Sequence, residues 1–476
     1  MEQPNLRTFD FNELLNDVID SDSYKVSHHK QYPPGTEYVY SYLESRGGEF
    51  DSQIMFGLQY ILQRYLTGVV VTDEAIDLAR TMIVPHMGGN PDLFNEAGWR
   101  YIVRQHGGRL PLKICAIPEG TPISPHNALV TVVNTDPECY WLVNYMETAL
   151  MRVWYPITVA SLSHNIRSII QKYLMLTGTP EAIDFKLQDF GSRGSTSRES
   201  AAIGGAAHLV NFQGSDTMAA IPLLYKYYGA TAMPSYSVPA SEHSTITSWG
   251  RTREADAYRN LLTQYPTGIV SIVSDSYDIF AACDQIYGVE LKQLIENRNG
   301  VLVIRPDSGD IIPTVLRVLQ ILESRFGTTV NSLGYRVLPE YVRVLQGDGM
   351  NINTIEQLCA ALAADGWSID NVACFGMGGK LLQGVDRDTL KFAFKCSAIR
   401  IAGEWLPVYK DPVTDSGKAS KQGILTVQQA QTGFVTTGCL DPRVQPGDQL
   451  VTVFENGDMV TEYTLAEIRQ RALEQK

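Results

Sequence analysis

The sequence predicts an α/β fold in two parts: a central region of repeated strand–loop–helix units, and a β-rich α+β region built from both ends of the chain. Three observations predict it. From about residue 183, short apolar runs each end in a small or polar cluster, and a helical pattern often follows. The tail carries Asn456-Gly457 between alternating runs, a strong antiparallel hairpin signal. The N-terminal third mixes strand and helix patterns without a regular βαβ rhythm. A length of 476 residues allows two large domains or about three smaller ones.

Residues 1–21 read as an amphipathic lead-in. Pro33-Pro34-Gly35 marks a turn, and Tyr38–Leu43 alternates as a strand does. Gly57–Leu66 and Asp73–Met82 have helical spacing, while Leu110–Ile117 and Leu129–Val133 read as strands. Glu138–Val153 predicts one apolar helix, ending before Trp154-Tyr155-Pro156, and Thr158–Leu176 predicts another. Five strands then follow, each with a polar cluster at its end: Phe185–Asp189, Gly268–Ser274, Val301–Ile304, Val342–Leu345 and Val372–Phe375. Thr196 and Glu199 have capping-box spacing, and Ile312, Val315, Leu319 and Leu322 share a helical face. Repetition of this unit predicts a parallel sheet or barrel, in which ligands gather at the carboxyl ends of the strands. In the tail, Gln449–Val453 and Met459–Tyr463 flank the hairpin turn, and Thr464 with Glu467 caps a last helix.

The composition excludes several classes. The formal net charge is −13, which argues against broad nucleic-acid binding or an anionic membrane surface. No apolar run approaches the ~20 residues that span a bilayer, and the acidic start lacks a signal-peptide pattern, so a cytoplasmic location is expected. The seven cysteines are scattered without a CxxC pair, so neither a disulfide framework nor a zinc site is predicted.

Tyr236–Gly250 places one of only eight histidines, His243, beside Glu242 among Ser and Thr residues. Histidine suits proton or phosphoryl traffic near neutral pH, although a structural histidine in a turn is the blander alternative. Asp275 ends an apolar strand and is a candidate to orient His243. Arg193, Arg305, Arg387 and Lys395 are cations in glycine-rich or strand-end settings suited to phosphate. Asp307 and Asp348 suit ribose hydroxyls or a metal–phosphate, or equally an Asx-turn. Gly376–Gly379 is either a phosphate-facing backbone or a tight turn; Walker A, GxGxxG, Gly-x-Ser-x-Gly and HExxH patterns are all absent.

Longer runs then carry a resemblance. DSYKVSHHKQYPPGTEYVYSYLESR, DFGSRG, HLVNFQGSDT, YSVPASEHSTITSWG, SDSYDIF, IRPDSGD and QGDGMNINT occur in the order found in the nicotinamide phosphoribosyltransferase family, a group of type II phosphoribosyltransferases. The resemblance spans residues 22 to about 423. It implies an irregular (β/α) barrel-like domain over 156–392 and a sandwich-like β-rich domain from 1–155 and 393–476. It also implies transfer of phosphoribose to nicotinamide within NAD salvage. Phosphoribosyl pyrophosphate would be the donor, with Mg²⁺ on the pyrophosphate and ATP as co-substrate, in a homodimer with sites at the subunit interface.

By position, the resemblance makes Phe190 one face of a clamp on the nicotinamide ring, with Tyr24 of a second subunit as the other. Asp216 matches the acceptor for the amide NH₂, a carboxylate that would repel nicotinate; Arg193 and Ser271 would line the same pocket. Arg305, Asp307, Gly347, Asp348, Gly378 and Gly379 match ribose and phosphate contacts. Arg387 and Lys395 would reach phosphate across the dimer, with Arg46, Lys410 and Lys418 as further candidates. His243 matches the histidine phosphorylated by ATP, supported by Glu242 and Asp275. Ser192, Met377, Lys380 and Ala393 depart from the vertebrate-like pattern and bear on affinity and effector response. The nearest rival is a nicotinate-specific enzyme on the same fold, which Asp216 argues against; a signalling protein without chemistry and a generic ATP-dependent phosphotransferase are more distant.

Overall fold

The structure, a computed structural model, describes residues 6–414, 419–441 and 446–474; Lys418 lies outside them. The chain divides into two compact units. One comprises Met1–Thr158, Tyr227–Gly229 and Asp386–Lys476, and the other Val159–Lys226 and Ala230–Val385.

The first unit is organised on a seven-stranded sheet whose pairings are all antiparallel. One of its long strands, Thr36–Ser45, pairs on one side with Phe392–Ile401 and on the other with Ala128–Asn134. The two ends of the sequence therefore build one sheet, as the sequence predicts. The tail hairpin is also present: Glu455 pairs with Asp458, and Asn456 and Gly457 both take positive φ, 52° and 88°. Two such residues in succession are the signature of a type I′ turn. Thr464 and Glu467 form the expected capping box on helix Leu465–Leu473. Glu138–Val153 is not one helix. Pro137–Cys139, Leu142–Tyr145 and Glu147–Met151 are separate short helices, hinged where Met146 leaves helical ψ. Helix Trp154–Thr177 instead starts earlier than predicted, with Pro156 accommodated in its first turn.

The second unit holds six parallel strands: β1 (Leu187–Asp189), β2 (Gly214–Ser215), β3 (Thr267–Val273), β4 (Asn299–Arg305), β5 (Val342–Gln346) and β6 (Val372–Met377). Their spatial order is β2-β1-β6-β5-β4-β3. The segment Tyr236–Ala240 meets both edges: Gly214 bridges Tyr236 in parallel, and Ala240 bridges Ser271 in parallel. This extended stretch therefore touches both edge strands, at Gly214 and at Ser271, and helps curl the sheet into a barrel-like ring.

Side chains alternate across each strand. Val270, Ile272, Leu302 and Ile304 are fully buried, while Ile269, Ser271, Val303 and Arg305 line an internal cavity. Outside the ring, helix Ile311–Phe326 buries Val315, Val318, Leu319 and Leu322. Helix Arg198–His208 is capped one residue later than the sequence suggests, by Ser197 and Ser200 rather than Thr196 and Glu199. All seven cysteines are free. Among the described residues, no helix is long and apolar enough to cross a membrane.

Candidate active site

The carboxyl ends of β1, β3, β4, β5 and β6 carry the polar clusters singled out in the sequence, and the ring gathers them. Two features result: a cavity and, beside it, a histidine–carboxylate cluster.

The cavity has a volume of about 410 Å³. Phe190, Asp216, Ser271 and Arg305 all line it; Arg193 does not. Gln188, Tyr236, Ser237, Ile269 and Cys374 complete much of the wall. Phe190 follows β1, and its N–H donates to the Met377 carbonyl at 2.9 Å. Its ring rests on the backbone of β6: a Cβ on Gly376 would lie 2.1 Å from Phe190 Cε2. Glycine at 376 thus permits the ring position. Gly347 stands between the ring and the phosphate-type residues, since a Cβ there would be 3.5 Å from Phe190 Cε2 and 3.7 Å from Asp307 Oδ1.

Asp216 is exposed to the cavity just after β2. Ser237 Oγ donates to its Oδ1 at 2.5 Å, and Gln188 Nε2 donates to the same oxygen at 2.9 Å. Sequence reasoning missed both partners. Ser237 lies within the run that contains His243, but nothing in the sequence indicates that this run closes the ring beside β2.

His243 opens the short helix His243–Thr247. Its Nε2 meets Asp275 Oδ1 at 3.0 Å, and its Nδ1 stands 4.0 Å from Asp307 Oδ2. Asp275 is buried with its side chain 5% exposed, whereas the His243 ring is 46% exposed. A carboxylate only accepts, so the Asp275 contact places an N–H on Nε2 and leaves Nδ1 unprotonated in the neutral ring. Glu242 takes a different part from the one its neighbour position suggests: its carboxylate accepts a hydrogen bond from Ser244 Oγ, not from the imidazole. Arg305 links the two features, lining the cavity while its Nε lies 3.5 Å from Asp307 Oδ1. Burial raises the pKa of Asp307 above the ordinary carboxylate value; Arg305 and His243 oppose this, while Asp275 and Asp348 reinforce it. Asp348 is exposed after β5, and Gly378 leads into the short helix Gly379–Leu382 after β6.

The first unit holds the remaining candidates. Tyr24 is 60% exposed and packs edge-on against His28 at 4.9 Å. Lys395 is held below the usual lysine pKa by burial, with Arg46, Lys410 and Lys25 adding repulsion against the pull of Glu147. Of these cations, Lys25 is itself paired with Glu147 at 2.6 Å. Arg46 is already committed, since its Nε meets the buried Glu44 carboxylate at 2.9 Å, and Lys421 engages the other oxygen of that group. Arg387 is exposed, 3.5 Å from Asp388.

The profile of the nicotinate phosphoribosyltransferase (NAPRTase) family matches residues 185–458, and that of the nicotinamide phosphoribosyltransferase N-terminal domain matches residues 16–114. A protein of Xanthomonas campestris pv. campestris named nicotinamide phosphoribosyltransferase is 50% identical over 468 residues, covering 96% of this chain and 98% of the relative. The chain belongs to the nicotinamide phosphoribosyltransferase family. A relative of the same name from Acinetobacter baylyi is 35% identical, over 97% of this chain and 98% of its own. As a member of this family the chain is a pentosyltransferase of NAD biosynthesis. Among solved structures, human nicotinic acid phosphoribosyltransferase matches with a TM-score of 0.60 at 15% identity, over 95% of this chain and 92% of that one. Nicotinate-nucleotide pyrophosphorylase from Pyrococcus furiosus matches with a TM-score of 0.61 at 14% identity, over 99% and 97%. At these identities the likeness is one of fold, and it agrees with the barrel-like ring plus antiparallel unit.

Proposed function

We propose that this phosphoribosyltransferase uses nicotinamide, with phosphoribosyl pyrophosphate as donor, and that ATP stimulates it by phosphorylating His243. The observation that carries the substrate choice is Asp216, a carboxylate facing the cavity beside Phe190. It suits the donor NH₂ of an amide and opposes the anionic carboxylate of nicotinate. The carbon C1′ would lose pyrophosphate, which leaves with the C–O electron pair, as the pyridine nitrogen lone pair forms the new C–N bond. No proton moves in this step. The work of the protein is therefore placement and electrostatics: Phe190 seats the ring, Ser271 lines the pocket, and Arg305 meets phosphate charge as the leaving group departs.

Asp275, Asp307 and Asp348 form a crowded carboxylate set, in which like charges raise the Asp307 pKa further. Their oxygens do not converge as a ready-made metal cage, and Asp275 is engaged by His243, so Mg²⁺ would come to this site chiefly on pyrophosphate oxygens, where it would stabilise the leaving group's charge. At His243, Asp275 occupies the Nε2 side, which supports Nδ1 as the nitrogen that would take the γ-phosphoryl group of ATP, with ADP leaving. We further propose a homodimer in the cytoplasm in which Tyr24, Arg387 and Lys395 serve the site of a second subunit. The test is mononucleotide formation from nicotinamide and from nicotinic acid, each with and without ATP. Faster turnover of nicotinamide, increased by ATP, is expected; preference for the acid would overturn the substrate choice.

A further inference from the structure

Oδ1 of Asp216 is occupied twice, by Ser237 Oγ at 2.5 Å and by Gln188 Nε2 at 2.9 Å. Among the described residues, no donor meets Oδ2. An ionised carboxylate oxygen accepts about two hydrogen bonds, so Oδ1 is saturated and Oδ2 keeps its full accepting capacity. Both donors are neutral. They fix the orientation of the carboxylate without cancelling its charge, as an arginine or lysine in either place would.

We propose that Gln188 and Ser237 are the positioning residues for substrate selectivity: they turn Asp216 so that one charged, unshared oxygen faces the ligand. The inference rests on the reading of Asp216 as the acceptor for the amide of nicotinamide. A freely rotating carboxylate would still repel an acid, but it would hold an amide less tightly, because part of the binding energy goes into fixing the side chain. With Oδ1 pinned, that cost is met before the ligand arrives.

The two donors are themselves placed by backbone. Gln188 sits in β1, and its Oε1 lies 2.2 Å from where a Cβ on Gly214 would stand, so the amide holds this position because residue 214 is glycine. The orientation of the Gln188 amide follows from chemistry, since its NH₂ must face an acceptor-only carboxylate. Nε2 also stands 3.5 Å from the Tyr236 carbonyl. Ser237 belongs to the segment that joins the two edges of the sheet. Three stretches of backbone that are distant in sequence thus converge on one carboxylate oxygen. Gln188, Ser237 and Asp216 all line the cavity.

The test is steady-state kinetics with nicotinamide and with nicotinic acid at saturating phosphoribosyl pyrophosphate. Gln188→Leu, Ser237→Ala and Ser237→Thr would be compared with the natural chain, and Gln188→Leu also in an Asp216→Asn background. Gln188→Leu and Ser237→Ala are expected to raise KM for nicotinamide about tenfold, to change kcat less than about twofold, and to cut the nicotinamide-over-nicotinate ratio about tenfold. Ser237→Thr keeps the hydroxyl and should stay within about twofold of the natural chain. In the Asp216→Asn background, Gln188→Leu should have no further effect on the ratio. Unchanged selectivity in both Gln188→Leu and Ser237→Ala, or an equal loss with and without Asp216, would overturn the positioning role. Failure of the underlying reading looks different: nicotinamide would not be turned over at all, or Asp216→Asn would leave selectivity intact, and either result would overturn both.

Discussion

His243 is held on one side only. Asp275 fixes Nε2 at 3.0 Å, and Nδ1 faces outward past Asp307. Replacing Asp275 by Asn keeps the shape but removes the charge that favours the Nε2–H form. We expect about 2 kcal/mol of lost orientation, or roughly a thirtyfold smaller ATP-dependent increment in kcat/KM; an undiminished increment would remove Asp275 from this role. Gly376 makes a second residue-level prediction. A methyl group there meets the Phe190 ring at 2.1 Å against a strand backbone that cannot retreat. Gly376→Ala should therefore displace the ring, raising KM for nicotinamide about tenfold while leaving KM for phosphoribosyl pyrophosphate within about twofold, at a stability cost of about 1–3 kcal/mol. Kinetics in each substrate and a thermal unfolding midpoint check both halves. The chemical character of these residues was legible in the sequence: Asp275, Arg305 and Asp307 stood at strand ends and His243 in the Tyr236–Gly250 run, and the structure brings them within contact distances. Gln188 and Ser237 were not legible, because their role depends on β1 and the edge-joining segment meeting beside β2. Glu242 misled for the same reason: adjacency to His243 in sequence says nothing about which way a side chain turns at a helix start.

Strands were read more accurately than helices, and the cause is burial. Five of the six parallel strands were visible as apolar runs closed by polar clusters, within one or two residues of β3, β4, β5 and β6. The missing one, Gly214–Ser215, is two residues long and offers no periodicity. Glu138–Val153 looked like one helix because its residues are apolar on nearly every side, and a run buried all round does not reveal a hinge at Met146. A different kind of element effect appears at helix Leu58–Ile61. Its amino end is capped by a remote carboxylate, Glu119, which accepts from the Gly57 and Gln59 N–H groups at 3.1 and 2.7 Å. Burial pushes the Glu119 pKa up to about 7, against the pull of those donors. Between the unfolded value of 4.5 and about 7, the folded chain binds more protons than the unfolded one, so stability falls as pH rises through this window. The total is on the order of 3 kcal/mol. Glu119→Gln stays neutral throughout and should lose that slope. Unfolding midpoints of both chains from pH 5 to pH 8 test this; parallel curves would show that Glu119 ionises elsewhere.

At the scale of the molecule, the proposed chemistry draws on both compact units. Phe190, Asp216, His243 and Arg305 belong to the barrel-like unit, and Tyr24, Arg387 and Lys395 to the antiparallel one. The proposed dimer assigns the second set to the site of the neighbouring subunit, and stoichiometry can decide this. Arg305→Ala and Lys395→Ala should each lower activity strongly as pure species, since each removes a cation proposed to meet phosphate. In a dimer assembled from one chain of each kind, one site would combine both lesions and the other would combine neither. With random mixing, half the dimers are mixed, so about a quarter of the natural number of sites should be intact. Co-expression of the two variants with different tags, followed by tandem purification of the mixed species, should raise this to about half. If Lys395 instead serves the site of its own chain, every site carries one lesion and mixing restores nothing. The same result is expected if the chain works as a monomer, which a size measurement on the purified protein separates from the first case.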